Sequence, residues 1–420
     1  MKILVIGNGG REHALAWKIA QSKKVTHIYC AEGNAGIRNI AECISIKATD
    51  CQGLLDFALR NKIDLTVVGP EQPLTLGIVD LFRDHGLKIF GPTARAAEIE
   101  GSKVFAKQLM KKYHIPTASF VTFMSAAEAK NYISNLNRSC VVKADGLAAG
   151  KGAIVCPTVE EALSAVDIIK REFGTAGNSI LVEEMMEGEE ASIFAVTDGR
   201  GYIILPPAQD HKRVFDGDMG KNTGGMGAYA PAPVITSDIL DRIKKEIIEP
   251  TIAAMAHEGR PYQGVLYCGI MLTRDGPKVV EFNCRFGDPE CQVIMPLIKS
   301  DVIEMFLAVA NQNIDACKIE LHQQSSVCVV MASGGYPDHY EKSKEISGLY
   351  KIDDQNSIIF HAGTEFKDGK IFSNGGRVLG IASISERLPD AIQKAYTAVE
   401  KIHFNNAHYR KDIGYRALKN

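Results

Sequence analysis

The sequence predicts a multidomain protein of α/β and α+β class, with a doubly wound parallel sheet at its N-terminus. Three observations carry this. The chain has 420 residues, more than one compact core accommodates, so two to four domains are expected. Its first hundred residues alternate short apolar runs with helical stretches, the pattern of β-α-β units. Its last hundred place several strand-like runs ahead of one helix, an α+β arrangement.

Composition narrows the partners. With 45% hydrophobic and 23% charged residues the chain is an ordinary globular protein. A formal net charge of −2 supplies no global basic field, so neither nucleic acid nor a membrane surface is expected, and any anionic ligand must be held locally. The ten cysteines follow no C-x-x-C or zinc-type spacing and read as buried thiols of a reducing compartment; Cys284 is expected to pack. The apolar run at 3–6 is too short for a signal-peptide core, and no run approaches the roughly 18 residues of a membrane helix. The cytoplasm is the expected location.

In chain order, a buried strand over 3–6 leads through Gly7-Asn8-Gly9-Gly10 into a helix over 11–20. Strands over 25–30, 43–46, 65–68 and 87–90 and helices over 51–60 and 77–84 continue the alternation. The glycine turn can place an anion, monophosphate or pyrophosphate, at a helix N-terminus. The dinucleotide fingerprint G-x-G-x-x-G would need glycine at position 12, where Glu12 stands, although Glu32 lies at a plausible ribose distance. A nicotinamide-dependent oxidoreductase rests on this partial match alone. Gly33, Asn34 and Gly36 form a second turn on the same sheet edge; tight βα packing is the alternative for both turns.

A helix opens at Lys103 with Ser102 as its N-cap, ending before Pro116. A strand over 120–122 and a helix over 126–135 lead to the most informative segment. Cys140, Val141 and Val142 read as a buried strand delivering Lys143; small residues follow, then Gly150, Lys151 and Gly152. Two cations around bare N–H groups suit a polyphosphate. This is not a P-loop, which would need glycine at Asp145 and a hydroxyl at Gly152. A solvated glycine-rich hairpin is the alternative. A strand over 153–156 and a helix over 159–170 follow. A strand then runs from Ile180 into a polar turn carrying Glu183, Glu184 and Glu190, side chains that are ordinarily solvated.

Residues 206–233 read as a long loop, disordered or ligand-binding, in which Asp210, His211, Lys212 and Arg213 precede a glycine cluster. Its mixed charge suits a zwitterionic ligand. A helix over 237–257 leads to a strand over 265–272, a hairpin turn at Asp275-Gly276 and a return strand over 278–282. Glu281 and Asn283, two apart, share one face of that strand. A carboxylate and an amide oxygen are hard ligands for Mg²⁺, which completes its shell with water and substrate phosphates. Arg285 and Asp288 follow. Strands over 325–332, 358–360 and 378–383 and a helix over 388–402 suggest a small α+β lid.

In these motifs the chain resembles the ATP-grasp superfamily and, within it, the phosphoribosylamine–glycine ligases of purine biosynthesis. The resemblance spans the whole sequence, including Asn222 to Ala228, Ser373 to Leu379 and Tyr409 to Leu418. It implies an N-terminal α/β substrate domain (1–101), a central ATP-grasp domain (102–323) with a mobile nucleotide clamp at about 118–190, and a C-terminal α+β domain (324–420). It implies that Lys103 and Lys143 contact the ATP phosphates under a closing loop containing Gly146, Gly150, Lys151 and Gly152. Glu183, Glu184 and Met186 would lie along the adenine, and Glu190 would take the ribose. Glu281 and Asn283 would hold Mg²⁺ or Mn²⁺, with Gly269 where many relatives carry a further metal carboxylate. Phosphoribosylamine would use Gly9, Gly10, Asn34, Gly36 and Arg285; glycine would use Asp210, Lys212 and Arg213. Lys143, Arg285 and Asp210 are the expected catalytic residues. The implied reaction joins glycine to 5-phosphoribosylamine through glycyl phosphate, with ATP as co-substrate. A monomer is expected, receiving its labile amine by handover from the preceding enzyme. Another ATP-grasp purine ligase, or a nucleotide-binding sensor, remains the alternative.

Overall fold

A computed structural model describes residues 1–147, 152–352 and 357–418. The N-terminal sheet has five parallel strands in the order Glu42–Ile44, His27–Glu32, Lys2–Gly7, Leu65–Val68 and Ile89–Phe90, the doubly wound arrangement the alternation predicts. Its central strand is buried on both faces, and the period of two divides its side chains between two cores. Ile3 and Val5 pack into a core with Phe194, Phe286 and Phe306. Leu4 and Ile6 join Leu54, Phe82, Ile99 and Leu266. Both cores take side chains from the central region, so the first sheet is fused to it.

The clamp is a four-stranded antiparallel sheet in the order Phe120–Phe123, Ile180–Glu184, Cys140–Ala144 and Ala153–Cys156. Helices Ala126–Leu136 and Val159–Glu172 supply Ile133, Val166 and Ile169 to a core of its own with Val142 and Val182. This unit therefore has a core separate from those of its neighbours. Facing it is a second antiparallel sheet, Tyr202–Ile204, Glu189–Thr197, Gly264–Thr273 and Gly276–Asn283, and the clamp strand Ile180–Glu184 runs almost directly into it.

Residues 206–233 are not the irregular loop expected. Gln209–Asp210 and Gly227–Ala230 pair with each other, and Gly227–Ala230 pairs with Ser325–Ser333 of the C-terminal sheet. Arg213–Phe215 and Met219–Asn222 form a hairpin beyond them. The same sheet continues through Arg377–Ser385 to Ser357–His361, with helix Leu388–Val399 contributing to its core.

Two local differences have physical causes. The helix expected over 237–257 is α over Ser237–Ile243, π over Lys244–Ile248 and α again over Glu249–His257. Pro250 lacks an N–H and crowds the carbonyl four residues back, and one wider turn absorbs both effects. The hairpin turn falls one residue earlier, at Arg274 and Asp275, because Gly276 already pairs with Thr273. All ten cysteines are free, and Cys284 is buried.

Candidate active site

The two antiparallel sheets enclose a corner lined with lysines. The clamp strand Cys140–Ala144 brings Lys143 within 3.0 Å of Glu183 Oε2, and Lys107 approaches the same oxygen at 3.0 Å. All three side chains are at least 95% buried. Lys107 is further held by donating to Thr117 Oγ1 (2.7 Å), whose hydroxyl donates to the Val279 carbonyl (2.7 Å). Burial pushes Lys107 down to about 8, with Lys143 adding to that effect and Glu183 opposing it. Two ammonium groups against one carboxylate leave an excess positive charge out of water, a costly arrangement that an anionic ligand would relieve.

A β-bulge completes the Lys143 site. Gly269 pairs with Glu281 and Ile270 with Val279, so Val280 is the extra residue on its strand. Its carbonyl is released from the ladder and accepts from Lys143 Nζ at 3.2 Å.

Lys103 lies four residues before Lys107 on helix Lys103–Lys112, hence on the same face, and donates to the Gly146 carbonyl (3.3 Å). Ser102 caps this helix by accepting from Phe105 N (3.0 Å) and donates to Asp145 Oδ1 (3.0 Å). Val104 N donates to the same oxygen (3.1 Å). Asp145, the residue that breaks the P-loop pattern, thus ties the clamp loop to the helix bearing Lys103. Gly146 follows with φ +121°, where a Cβ would lie 3.0 Å from Ala176 Cβ. Gly150 and Lys151 lie outside the described residues; Gly152 is buried, and its carbonyl accepts from Ala144 N (2.8 Å).

The acidic turn divides into three fates. Glu183 is the buried partner of the lysines. Glu184 turns outward and accepts from Ser119 Oγ (2.8 Å), which lowers its pKa. Met186 is half-buried in the short link between the sheets. Glu190 pairs with Lys212, whose segment packs beside its strand through Gln209 Nε2, a donor to the Glu190 carbonyl (2.9 Å).

Glu281 and Asn283 share a face of the return strand, as expected. No side-chain hydrogen bond engages the Glu281 carboxylate among the described residues. Burial would raise its pKa, but Lys212, Lys103, Lys143 and Arg285 together hold it below its ordinary value. The Asn283 amide is oriented so that its nitrogen donates to Glu100 Oε1 (3.1 Å) and the Phe282 carbonyl (3.2 Å), reserving its oxygen as an acceptor. Arg285, next along, is clasped between Glu71 Oε2 (3.2 Å) and Glu100 Oε1 (2.9 Å). Those carboxylates outweigh its burial and raise its pKa, while Arg285 and Arg11 bring buried Glu71 down to about 2.

Lys212 meets burial that favours the neutral amine, but Glu190, Asp210 and Glu281 outweigh it and hold the ammonium well above its usual range. Burial pushes Asp210 up to about 7, opposed by Lys212 and reinforced by Glu290 and Glu190. Arg213 is spent within its own hairpin, donating to the Gly220 carbonyl (2.6 Å).

The N-terminal turns are more occupied than their sequence suggests. Glu12 accepts from Gly9 N (2.7 Å) and Arg11 Nε (2.6 Å), so the protein's own carboxylate caps helix Gly10–Ile19. A Cβ at Gly7, Gly9 or Gly69 would lie 2.5, 2.7 or 2.1 Å from Glu12, and at Gly10 2.4 Å from Gln292 Nε2. The glycines here make room for the Glu12 side chain, which stands where the dinucleotide fingerprint would have its third glycine, so the nicotinamide reading loses its one support. Asn34 is fully used: its nitrogen donates to the Asn8 and His361 carbonyls (2.9 and 2.7 Å) and its oxygen accepts from Gly36 N and Ile37 N (both 3.0 Å). Gly36 is wedged between His13 and His361, in the seam with the C-terminal sheet. The structure gathers Lys103, Lys143, Lys212, Glu190, Glu281 and Arg285 about one corner, whereas Asn34 and Gly36 belong to that seam.

Comparison with known proteins decides the family. Models of the phosphoribosylglycinamide synthetase N domain, ATP-grasp (A) domain and C domain match residues 1–100, 101–291 and 326–416. The phosphoribosylamine–glycine ligase of Caldanaerobacter subterraneus is 49% identical over 98% of this chain and 99% of its own length. The chain belongs to the phosphoribosylamine–glycine ligase family. The crystal structure of the family member from Thermotoga maritima superposes with a TM-score of 0.87, at 34% identity, over 99% of this chain and 100% of the other. The biotin carboxylase domain of a Hydrogenobacter thermophilus 2-oxoglutarate carboxylase, solved with MgADP, shares the fold at TM-score 0.74 and 15% identity, covering 97% of this chain and 91% of that one.

For this ligase family member, two residues of the corner escape a reading of the sequence. Lys107 could have been found from its spacing, because it shares a helical face with Lys103. Glu290 closes the motif that begins at Glu281, but nothing in its neighbours gives it a role. It reaches the site through tertiary packing, accepting from Ser192 Oγ (3.1 Å), which also bonds Tyr267 OH (2.9 Å). Among the described residues no group of three or more His, Cys, Asp or Glu is placed to hold a metal. At Gly269, opposite Glu281, a Cβ would meet Glu281 Cγ at 3.5 Å, an ordinary contact.

Proposed function

We propose that this ligase joins glycine to 5-phosphoribosylamine in the cytoplasm, acting as a monomer, with the ATP phosphates at the lysine corner. The observation that carries the site assignment is the isolated Glu281 carboxylate, free of side-chain hydrogen bonds among the described residues and held ionised by cations from four different segments. A carboxylate so placed is spare for a ligand, and the surrounding ammonium groups suit phosphate oxygens.

A divalent cation fits this donor set. Glu281 and the Asn283 oxygen would hold Mg²⁺ or Mn²⁺, hard ligands leaving most of the shell to phosphates and water. When bound, the cation would neutralise charge on the β- and γ-phosphates. The chain's own residues do the rest. Lys143 and Lys103 supply positive charge to the phosphates, and Lys107 with Glu183 locks Lys143 in place. The clamp loop, including Gly146, Gly150, Lys151 and Gly152, closes over them and excludes water from an acyl phosphate that would otherwise hydrolyse. Glu184 and Met186 line the adenine and Glu190 the ribose.

Glycine sits by Asp210 and Lys212, the ammonium against the carboxylate and the carboxylate against the lysine. One carboxylate oxygen attacks the γ-phosphorus, the bond to the β-phosphate oxygen breaks, and ADP leaves. The amine of phosphoribosylamine, near Gly9, Gly10 and Arg285, then attacks the acyl carbon; the C–O bond breaks, phosphate departs and the amine loses a proton. Asp210, poised near neutrality in its buried pocket, is suited to take it. Both steps rest on positioning and charge neutralisation. Handover of the labile amine from the enzyme that makes it would shorten its exposure to water.

ADP release measured with each substrate omitted tests this reading. Release should require both glycine and phosphoribosylamine, apart from slow uncoupled hydrolysis. Full release without glycine would overturn it.

A further inference from the structure

The C-terminal segment from His408 to Arg416 has no part in the site described above, yet its side chains converge on the hairpin that carries Asp210 and Lys212. The tip of that hairpin is gripped at three successive residues. Asp216 Oδ1 accepts from Lys411 N (2.8 Å), and Gly217 N donates to Asp412 Oδ2 (2.8 Å). Asp218 accepts from Arg410 Nη1 (2.8 Å), Tyr415 OH (2.6 Å) and Arg416 Nη2 (2.7 Å). Arg410, fully buried, clasps both Asp412 oxygens at 2.8 Å and donates to the Arg213 carbonyl at 3.1 Å. Bonds to buried or charged partners of this kind are the strong ones.

Arg416 differs from the others because it spans the hairpin. One nitrogen holds Asp218 at the tip; the other, Nη1, donates to the Asp210 carbonyl at the base (3.1 Å). Backbone pairing continues through this stretch, with His211 N donating to the Gly227 carbonyl and Thr223 N to that of Lys212. Alternation along such a strand sends Asp210 and Lys212 to one face and His211 to the other. His211 indeed turns to the tail, its Nε2 accepting from Gly414 N (3.3 Å) and its ring edge-on to Tyr415. A slip of one residue would exchange the faces and withdraw the Asp210–Lys212 pair from the cleft.

We infer that Arg416, bridging Asp218 and the Asp210 carbonyl, is a positioning residue that sets the glycine subsite from the far side of the hairpin. The inference rests on the reading of Asp210 and Lys212 as glycine ligands. Steady-state kinetics of Arg416→Ala, Tyr415→Phe and Lys212→Ala, with each substrate varied in turn and Tm recorded, tests it. Arg416→Ala should raise KM for glycine about tenfold and shift KM for ATP and phosphoribosylamine less than about twofold. Tyr415→Phe removes a neighbouring grip on Asp218 and should move glycine KM the same way by less. Arg416→Lys, which keeps the charge but cannot reach both Asp218 and the Asp210 carbonyl, should raise glycine KM selectively and decides the matter if Arg416→Ala does not fold. The Arg416→Ala, Lys212→Ala double variant should lose less than the product of the single losses, since both act through one group. An unchanged glycine KM in Arg416→Ala, or in Arg416→Lys where Arg416→Ala does not fold, or equal losses against all three substrates with a parallel fall in Tm, overturns the inference alone. An unchanged glycine KM in Lys212→Ala overturns the glycine reading and the inference with it.

Discussion

Lys143→Ala is expected to lower turnover by roughly two to three orders of magnitude, with the protein still folded, because it removes the preorganised cation proposed to meet the reacting phosphates. Folding survives because Glu183 keeps Lys107 at 3.0 Å, so the substitution does not orphan a buried carboxylate. The loss should fall on kcat as well as on KM for ATP, since charge builds on the transferring group in the transition state. Lys143→Arg should not restore the rate. A guanidinium cannot occupy the slot between Glu183 and the Val280 carbonyl that a single ammonium fits. Kinetics with a melting curve for each variant checks this, and a near-normal rate in Lys143→Ala would remove that lysine from the chemistry.

Glu281→Gln is the second large effect. It is nearly isosteric and breaks no side-chain hydrogen bond among the described residues, so stability should change little. With Glu281 as the proposed metal ligand, the change should weaken divalent-cation affinity by at least about 100-fold, more than substitutions outside the coordination sphere do. A titration of activity against Mg²⁺ should show the midpoint moved far upward, with Asn283→Ala displaced in the same direction by about tenfold or more. An unmoved midpoint in both would place the cation elsewhere.

What the sequence conveyed and what it withheld divide along physical lines. The N-terminal sheet was legible because fully buried strands such as Ile3 to Ile6 are apolar without interruption and their helices have clear starts and stops. The segment that delivers Lys143 was legible for the same reason, and the Glu281–Asn283 pair because period-two geometry needs no tertiary knowledge. The hairpin of residues 209–230 was not. Its strands are short and rich in charge and glycine, so no apolar alternation marks them; the tail's grip on Asp218 and the pairing to Ser325–Ser333 hold them instead. Asn34 and Gly36 illustrate the converse. Small polar residues after a strand look like a ligand turn, but here they meet the C-terminal sheet, which is more than 300 residues away in sequence. Glu12 had to be seen in place before the glycines around it could be understood as room for a side chain.

The proposed function turns on activation of glycine through its carboxylate in the lysine corner, and glycine labelled with heavy oxygen in that carboxylate tests it most directly. If glycyl phosphate forms, the oxygen that attacked the γ-phosphorus leaves with phosphate when the amide bond closes. The inorganic phosphate released should then carry one labelled oxygen per turnover. Phosphate free of label, formed at the full rate of amide synthesis, would contradict that step.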